Sequence, residues 1–141
     1  MSIGKNVSNV SAREVHYYGP DNPHNLDPQR MDSHGGWIAS PSDLVAFALH
    51  VDGFPSPPDI LRGDTEKDMV TATSVNSSYA KGWAVNRLGN WWHGGGMPGT
   101  SSILVRTASG MCWAATANTD TNGDMDTLMW KMAKCVPQWH A

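Results

Sequence analysis

The residues best suited to chemistry lie in one glycine-rich segment, 93–100, which reads His-Gly-Gly-Gly-Met-Pro-Gly-Thr. Glycine weakens a strand and is favoured where a ligand or another backbone must come close. The segment therefore fits an active-site edge strand, whose free N–H groups can hydrogen-bond a substrate carbonyl or an oxyanion. His93 would act there as a polarising or proton-handling group. On spacing alone, a glycine-rich hairpin loop with an incidental histidine explains the segment equally well.

Metal binding is a second chemistry that the histidines and carboxylates suggest. The six histidines include no pair at positions i and i+4 with the glutamate of a zinc-protease helix. Residues 120–126 place Asp, Asn, Asp and Asp at alternate positions, as the start of a calcium loop does. A calcium loop would need glycine where Met125 stands and a glutamate at its end, so a solvated helix N-terminus explains these residues better. We predict no metal ion or other cofactor.

The first element that could position such a site is a helix that begins after Ser40. Pro41 suits the first helical position, and Asp43 completes a capping-box-like pattern. The helix is expected to end at Gly53, and a short second helix is expected over about 64–71. The predicted apolar stripe of the first helix consists of Leu44, Phe47, Ala48 and Val51.

Strand patterns follow from residue 79 onwards. We predict strands over about 79–85, 90–93, 101–107 and 111–118, joined by tight turns as in an antiparallel meander. An amphipathic helix is predicted over about 123–136, and its apolar face consists of Met125, Leu128, Met129, Met132 and Val136. The predicted fold class is therefore α+β, an antiparallel sheet of three to four strands with N-side and C-terminal helices packed on it.

The 141 residues are enough for one ordinary domain, and we predict a single domain over 1–141. Residues 1–36, which are dominated by Asn, Ser, Pro, Gly and His, are expected to be largely irregular, and 37–141 to form the α+β core. A structureless run this long is typical of a binding loop or of a segment that packs on something absent.

Composition excludes several function classes. The net charge is −3 and the ten basic residues are scattered, which argues against nucleic acid as a partner. No stretch approaches the roughly 18–20 apolar residues of a membrane span, and no signal peptide is recognisable, so the localisation stays open. The two cysteines, Cys112 and Cys135, are predicted to be buried free thiols. The seven tryptophans either pack in the core or line a sugar-binding face.

Four segments, in this order, resemble the C-terminal part of the serine β-lactamase-like superfamily, which includes class C β-lactamases, penicillin-binding-protein-like D-Ala-D-Ala carboxypeptidases and related esterases. Residues 34–47 are similar to its Gly-Gly segment and the capped helix that follows. Residues 79–83 resemble its Tyr-x-x-Gly-Trp strand, and 93–100 its third active-site motif, Lys-Thr-Gly or His-x-Gly. Residues 111–118 resemble the next strand, which ends in Thr-Asn or Ala-Asn. The resemblance runs from about residue 13 to 136.

The resemblance implies an activated serine, an acyl-enzyme intermediate and an oxyanion hole. It implies that His93 takes the place of the motif's Lys or His, and that the Gly96 N–H joins the N–H of the serine in the oxyanion hole. The expected substrate is a small molecule, a peptide or an ester. The residues that the resemblance places against the substrate are Gly94, Gly95, Met97 and Tyr79.

The superfamily's nucleophile motif, Ser-x-x-Lys at the start of a buried helix, and its Tyr-x-Asn or Ser-x-Asn motif both precede the matched segments. Three short patterns imitate them, at 2–5, 78–81 and 74–76. The first has no apolar helix behind it. The second falls on a strand, where positions i and i+3 point to opposite faces, and the third follows the Gly-Gly helix instead of preceding it. We predict that none of the three is catalytic.

Two function classes stay open. In the first, the chain is the C-terminal section of a β-lactamase-like serine hydrolase, inactive alone, that acts with a serine-bearing N-terminal half. In the second, it is a non-catalytic sugar- or peptide-binding or interaction protein derived from that fold. Without the helical lobe, apolar surface and a sheet edge would be exposed, which favours a homo-oligomer or a partner chain.

Overall fold

A computed structural model of the chain describes residues 1–121 and 124–136. The chain divides into two compact units. The first consists of Met1, 39–93 and 104–114, and the second of 2–38, 94–103 and the described residues from 115 onwards. The number of domains stays a prediction. The strands are β1 (Ser2–Ile3), β2 (Trp37–Ile38), β3 (Ala84–Val85), β4 (Trp91–Met97), β5 (Thr100–Arg106) and β6 (Cys112–Ala117), and the α-helices are α1 (Pro28–Met31), α2 (Pro41–Leu49), α3 (Gly63–Val70) and α4 (Asp124–Cys135).

The main sheet has four antiparallel strands in the order β3-β4-β5-β6. Ala84 lies opposite Trp92 and Val85 opposite Trp91. β4 and β5 are joined by the two-residue turn 98–99, in which Gly99 has a φ of 73°, a value that favours glycine. The predicted α+β class with an antiparallel sheet is confirmed.

Residues 1–36 contain more regular structure than their composition indicates. β1 pairs with β2 in a small antiparallel sheet, with Ser2 opposite Ile38. Short 3-10 helices cover Val7–Asn9 and Pro23–Leu26, and α1 follows them. These elements are too short to produce a recognisable period in the sequence.

Helix α2 begins as predicted. The Ser40 hydroxyl accepts a hydrogen bond from the Asp43 N–H at 3.1 Å, and an Asp43 carboxylate oxygen accepts one from the Ser40 N–H at 2.9 Å. This capping box lowers the pKa of Asp43 through the bonds from Ser40. In the predicted stripe Ala48 and Val51 are buried, but Phe47 is 41% exposed, so its placement in the stripe is wrong.

The hydrophobic core of the first unit includes residues of α2, α3 and the main sheet. Its buried residues are Ala48, Val51, Trp83, Trp91 and Leu104. The rings of Trp83 and Trp91 are 4.3 Å apart, so these two tryptophans pack in the core. Trp37, in contrast, is 51% exposed. Large aromatic rings bury much apolar surface per residue, which suits the core of a small unit.

Arg106 connects the end of β5 with the loop after α2. Its guanidinium donates to the backbone carbonyls of Asp52 and Gly89 and lies over the ring of Phe54, 4.4 Å from its centroid. Burial lowers the pKa of Arg106, and the nearby charge of Asp52 opposes this shift. Cys112 is half-buried in the same region, and burial together with Asp52 raises the pKa of its thiol to about 11.

Several predicted elements differ from the structure. The strand predicted over 79–85 is wrong, because only Ala84–Val85 is strand and the chain turns at Gly82, where φ is 86°. The strand predicted over 90–93 continues to Met97. Cys112 and Cys135 are both free, but Cys135 is exposed, so the prediction of a buried thiol is wrong there.

Helix α4 covers most of the predicted C-terminal helix, whose first residue, Gly123, lies outside the described residues. Met125 is buried, whereas Leu128 and Met132 are 55% and 54% exposed. The predicted packing of the apolar face is therefore wrong for Leu128, Met132 and Val136, which are exposed, whereas Met129 is half-buried. No helix within 1–121 and 124–136 combines the length and the apolar character needed to cross a bilayer.

Candidate active site

A tyrosine and a histidine that are far apart in sequence meet in the first unit. The hydroxyl of Tyr79 lies 2.9 Å from Nε2 of His93. Their ring centroids are 6.1 Å apart, with the planes inclined by 68°. Tyr79 is 38% exposed and His93 is also exposed. The pair therefore presents a hydrogen-bonded phenol and imidazole at an accessible surface.

The backbone around Tyr79 holds its side chain in this position. Residues 78–85 fold back on themselves, and Tyr79 forms an antiparallel bridge with Ala84. The Val85 N–H donates to the Ser78 carbonyl at 2.9 Å. Because Ala84 also pairs with Trp92 on β4, the backbone of Tyr79 is tied to the strand that carries His93.

Three consecutive glycines of β4 line a cavity of about 280 Å³ in the second unit. A Cβ on Gly96 would meet nothing within 4 Å, and one on Gly94 would make ordinary van der Waals contacts. A Cβ on Gly95 would collide with the hydroxyl of Ser102. The other lining residues are Ser101, Ser102, Ile103, Asp120, Thr121, Met125 and Asp126.

A second pocket, of about 490 Å³, includes Met97, and its other lining residues are Asp21, Gly96, Pro98, Gly99 and Asp120. It also belongs to the second unit. Gly99 makes the chain approach closely here, since its Cβ would lie 3.1 Å from the Asp21 carbonyl oxygen. Met97 is half-buried at this pocket.

The polar side chains that line the cavity beside Gly94, Gly95 and Gly96 are only partly hydrogen-bonded. The Ser101 hydroxyl donates to the Thr119 carbonyl at 3.1 Å and accepts from the Thr121 N–H at 3.0 Å. Asp126 Oδ1 is buried and has no hydrogen-bond partner within 1–121 and 124–136. A buried oxygen without a hydrogen bond is energetically unfavourable, so a ligand group that donates to this oxygen would be stabilised there.

Sequence reasoning missed Ser102 and Asp126 as lining residues. A signal for Ser102 was present, because a two-residue turn at 98–99 fixes the hairpin register and places Ser102 across from Gly95. For Asp126 the sequence indicates only a place in a solvated helix N-terminus. Its burial depends on tertiary packing, which no local pattern encodes.

The three short patterns that imitate the Ser-x-x-Lys and Ser-x-Asn motifs lie at 2–5, 78–81 and 74–76. Ser2 lies in β1, so the next residues continue in an extended chain and not in a helix. Lys81 Nζ donates to the Asp68 carbonyl and to its carboxylate, both at 2.9 Å. The side-chain oxygen of Asn76 accepts from the Ser78 N–H at 2.9 Å within a local turn. These contacts favour structural roles for all three.

The structure thus brings Tyr79 to His93 in the first unit, and Gly94, Gly95 and Gly96 to one cavity in the second. Gly94, Gly95 and Gly96 lie in strand β4, and the hairpin turn of the segment is confined to residues 98–99.

A comparison with family models matches residues 4–135 to the family described as Beta-lactamase. The match covers nearly the whole chain, including the segments 79–83 and 93–100. No curated protein and no solved structure gives a match.

Proposed function

Because this chain belongs to the β-lactamase family, we propose that it supplies one wall of a serine hydrolase active site. In this proposal β4 is the cleft strand. His93 polarises the substrate or handles a proton, and the Gly96 N–H is one donor of the oxyanion hole. Gly94 leaves room for the substrate, Gly95 lines the same cavity beside Ser102, and Met97 contacts the substrate. The reactive serine comes from a separate serine-bearing part.

The observation that carries this proposal is the free edge of β4 beyond Trp92. β3 pairs with β4 at Trp91 and Trp92, and the other neighbour of β4 in the sheet is β5. Within the described strands, the side of β4 away from β5 is therefore unpaired from His93 to Met97. An unpaired edge offers backbone donors and acceptors to another molecule.

The direction of the Gly96 N–H supports its role. In a two-residue hairpin the residues that flank the turn, here Met97 and Thr100, form a hydrogen-bonded pair, and such pairs alternate along the strands. Gly95 and Ser102 then form the next hydrogen-bonded pair. The N–H groups of Gly94 and Gly96 consequently point away from β5, towards the free edge.

The chemistry of this wall is electrostatic. When a serine attacks a carbonyl, negative charge develops on the carbonyl oxygen, and a backbone N–H that already points at this oxygen stabilises the charge. Loss of one such donor typically slows turnover by about 10²–10³-fold. Gly96 is exposed, so a substrate oxygen can reach this position of the strand. β-Lactams, D-amino-acid peptides and esters all present a suitable carbonyl.

The first experiment tests whether the chain needs a serine-bearing part. The purified chain is incubated with a fluorescent penicillin and with a fluorophosphonate probe. We expect no stoichiometric covalent labelling of the chain alone. Labelling of a serine on this chain would contradict the proposal.

The second experiment adds a serine-bearing Ser-x-x-Lys fragment of a β-lactamase-family enzyme and measures hydrolysis of a chromogenic β-lactam and a chromogenic ester. We expect turnover only in the mixture. His93→Ala should lower this turnover sharply and leave the circular dichroism spectrum unchanged. His34→Ala, at an exposed histidine outside β4, is the matched control and should have no effect. Equal turnover of the two variants would refute the role of His93.

A non-catalytic binding protein is the competing function. The cavity of the second unit, with the unpartnered Asp126 oxygen, favours it. Saturable binding of a sugar or a peptide, without labelling or turnover in any mixture, would support this second function over the first.

A further inference from the structure

We propose that Tyr79 is a positioning residue that fixes the tautomer of His93, so that Nδ1 carries the proton and is the ring nitrogen left for a substrate. The catalytic consequence rests on the function proposed for His93. The positioning itself rests on the 2.9 Å contact between the Tyr79 hydroxyl and His93 Nε2. Among the described residues this contact is the only hydrogen bond of the His93 ring.

Neutral imidazole carries one proton, and the partner of each nitrogen decides where it lies. If the Tyr79 hydroxyl donates to Nε2, the proton of His93 must be on Nδ1. If Nε2–H donates to the phenol oxygen, Nδ1 is a bare acceptor. A phenol is the stronger donor of the two and an imidazole nitrogen the stronger acceptor, so the first arrangement is favoured.

The backbone of Tyr79 is held in a defined position, which favours a lasting contact between its hydroxyl and His93. Its backbone is fixed by the bridge to Ala84, and Ala84 pairs with Trp92, the residue before His93. The Lys81 ammonium links the same turn to α3, because it donates to both the carbonyl and the carboxylate of Asp68. The phenol therefore reaches His93 from a defined backbone position.

The same chain contains a tyrosine–histidine pair without this hydrogen bond. The rings of His16 and Tyr18 lie 5.1 Å apart at 84°, and no hydrogen bond joins their side chains in the part of the chain that the structure describes. Tyr18 is 69% exposed. This pair serves as an internal reference for ring contact alone.

The inference changes what His93 does in the proposed site. With Nε2 occupied by Tyr79, neutral His93 is a hydrogen-bond donor through Nδ1 to a carbonyl or carboxylate oxygen of the substrate. Nε2 faces the Tyr79 hydroxyl, so His93 does not take a proton from the substrate through this nitrogen. When His93 is protonated, Nε2–H donates to the phenol oxygen, and Nδ1–H still donates to the substrate.

The tautomer of His93 can be measured directly in the isolated chain by long-range ¹H–¹⁵N NMR at a pH well above the ordinary imidazole pKa. We expect a protonated Nδ1 in the wild-type chain. Tyr79→Phe should shift the tautomer ratio about fivefold towards Nε2–H. The variant removes the hydrogen bond that stabilises the Nδ1–H tautomer, and a typical hydrogen bond changes an equilibrium constant by about this factor. Tyr18→Phe is the matched control and should leave the tautomer ratio of His16 unchanged.

A bare Nδ1 in the wild-type chain would overturn the proposal, and so would a His93 ratio that Tyr79→Phe does not change. The wild-type spectrum is a test that needs no variant, and an amide spectrum checks that Tyr79→Phe is folded. The measurement needs no turnover, so its failure is separate from failure of the proposed hydrolase. If the tautomer is as expected but His93→Ala does not affect turnover, only the proposed function fails.

Discussion

The thiol of Cys112 should react far more slowly than an ordinary cysteine. Burial raises its pKa from 9.0 to about 11, the negative charge of Asp52 adds to this shift, and the positive charge of Arg106 opposes it. The thiolate is the reactive form. At pH 8, roughly one Cys112 side chain in a thousand is ionised, compared with roughly one in ten for a thiol with the ordinary pKa.

The rate difference is smaller than the ionisation difference, because a thiolate of higher pKa is also more nucleophilic. With a Brønsted coefficient of about 0.4–0.5, a shift of two pKa units returns about tenfold of the roughly hundredfold loss. We therefore expect Cys112 to react about tenfold more slowly than an unperturbed thiol at pH 8. Its partial burial slows the reaction further.

The assay uses two single-thiol variants and an aromatic disulfide reagent. Cys135→Ser isolates Cys112, and Cys112→Ser isolates the exposed Cys135. The rate for Cys112 should rise about tenfold per pH unit up to pH 10 without a plateau. In urea the two variants should react at similar rates. A plateau near pH 9, or equal rates in the folded protein, would show that burial does not hold the Cys112 proton.

The same pKa shift implies a pH dependence of stability. The folded state keeps the Cys112 proton to a higher pH than the unfolded state does, so the folded state binds more protons above pH 9. Stability therefore falls as the pH rises from about 9 to 11. Cys112→Ser should lose this part of the pH dependence, as measured by urea unfolding at several pH values.

Three further predictions concern the fold. Ser40→Ala removes the N-cap of α2 and should lower the free energy of unfolding by about 1 kcal/mol, which urea denaturation measures; no change would mean that the cap is not formed. Gly95→Ala should lower the melting temperature because the new methyl meets the Ser102 hydroxyl, and Ser102→Ala in the same chain should restore it; failure of this rescue would rule out the collision. Trp91→Ala should cost about 3–5 kcal/mol because it empties a core position that is 4% exposed, whereas Trp37→Ala at an exposed position should cost much less, and similar losses for both would contradict the assigned core.

The sequence predicts those parts of the fold that local physics determines. The cap of α2 is readable because Ser40, Pro41 and Asp43 each satisfy a requirement of the helix terminus. The antiparallel meander of the main sheet is readable because tight turns separate its strand-like runs. In both cases the interacting groups lie within a few residues of one another, so the local sequence is sufficient to predict the structure.

The candidate site is only partly readable for the opposite reason. The proximity of Tyr79 to His93 depends on a fold-back at Gly82 and on pairing of β3 with β4. Residues 79–83 resemble a strand motif, so the sequence does not indicate the turn at Gly82. The burial of Asp126 depends on where α4 lies against the glycine strand, which its own helical pattern does not specify. Contacts of this kind are set by packing between elements.

The short connections of the main sheet have a consequence for the kinetics of folding. β4 and β5 are separated by two residues, and β5 and β6 by five. The small sheet instead joins Ser2 to Ile38, across 36 positions of chain. Loop closure becomes slower and entropically more costly as the loop lengthens. The meander of β4, β5 and β6 is therefore expected to gain protection from hydrogen exchange first after dilution from denaturant, with β1 and β2 following.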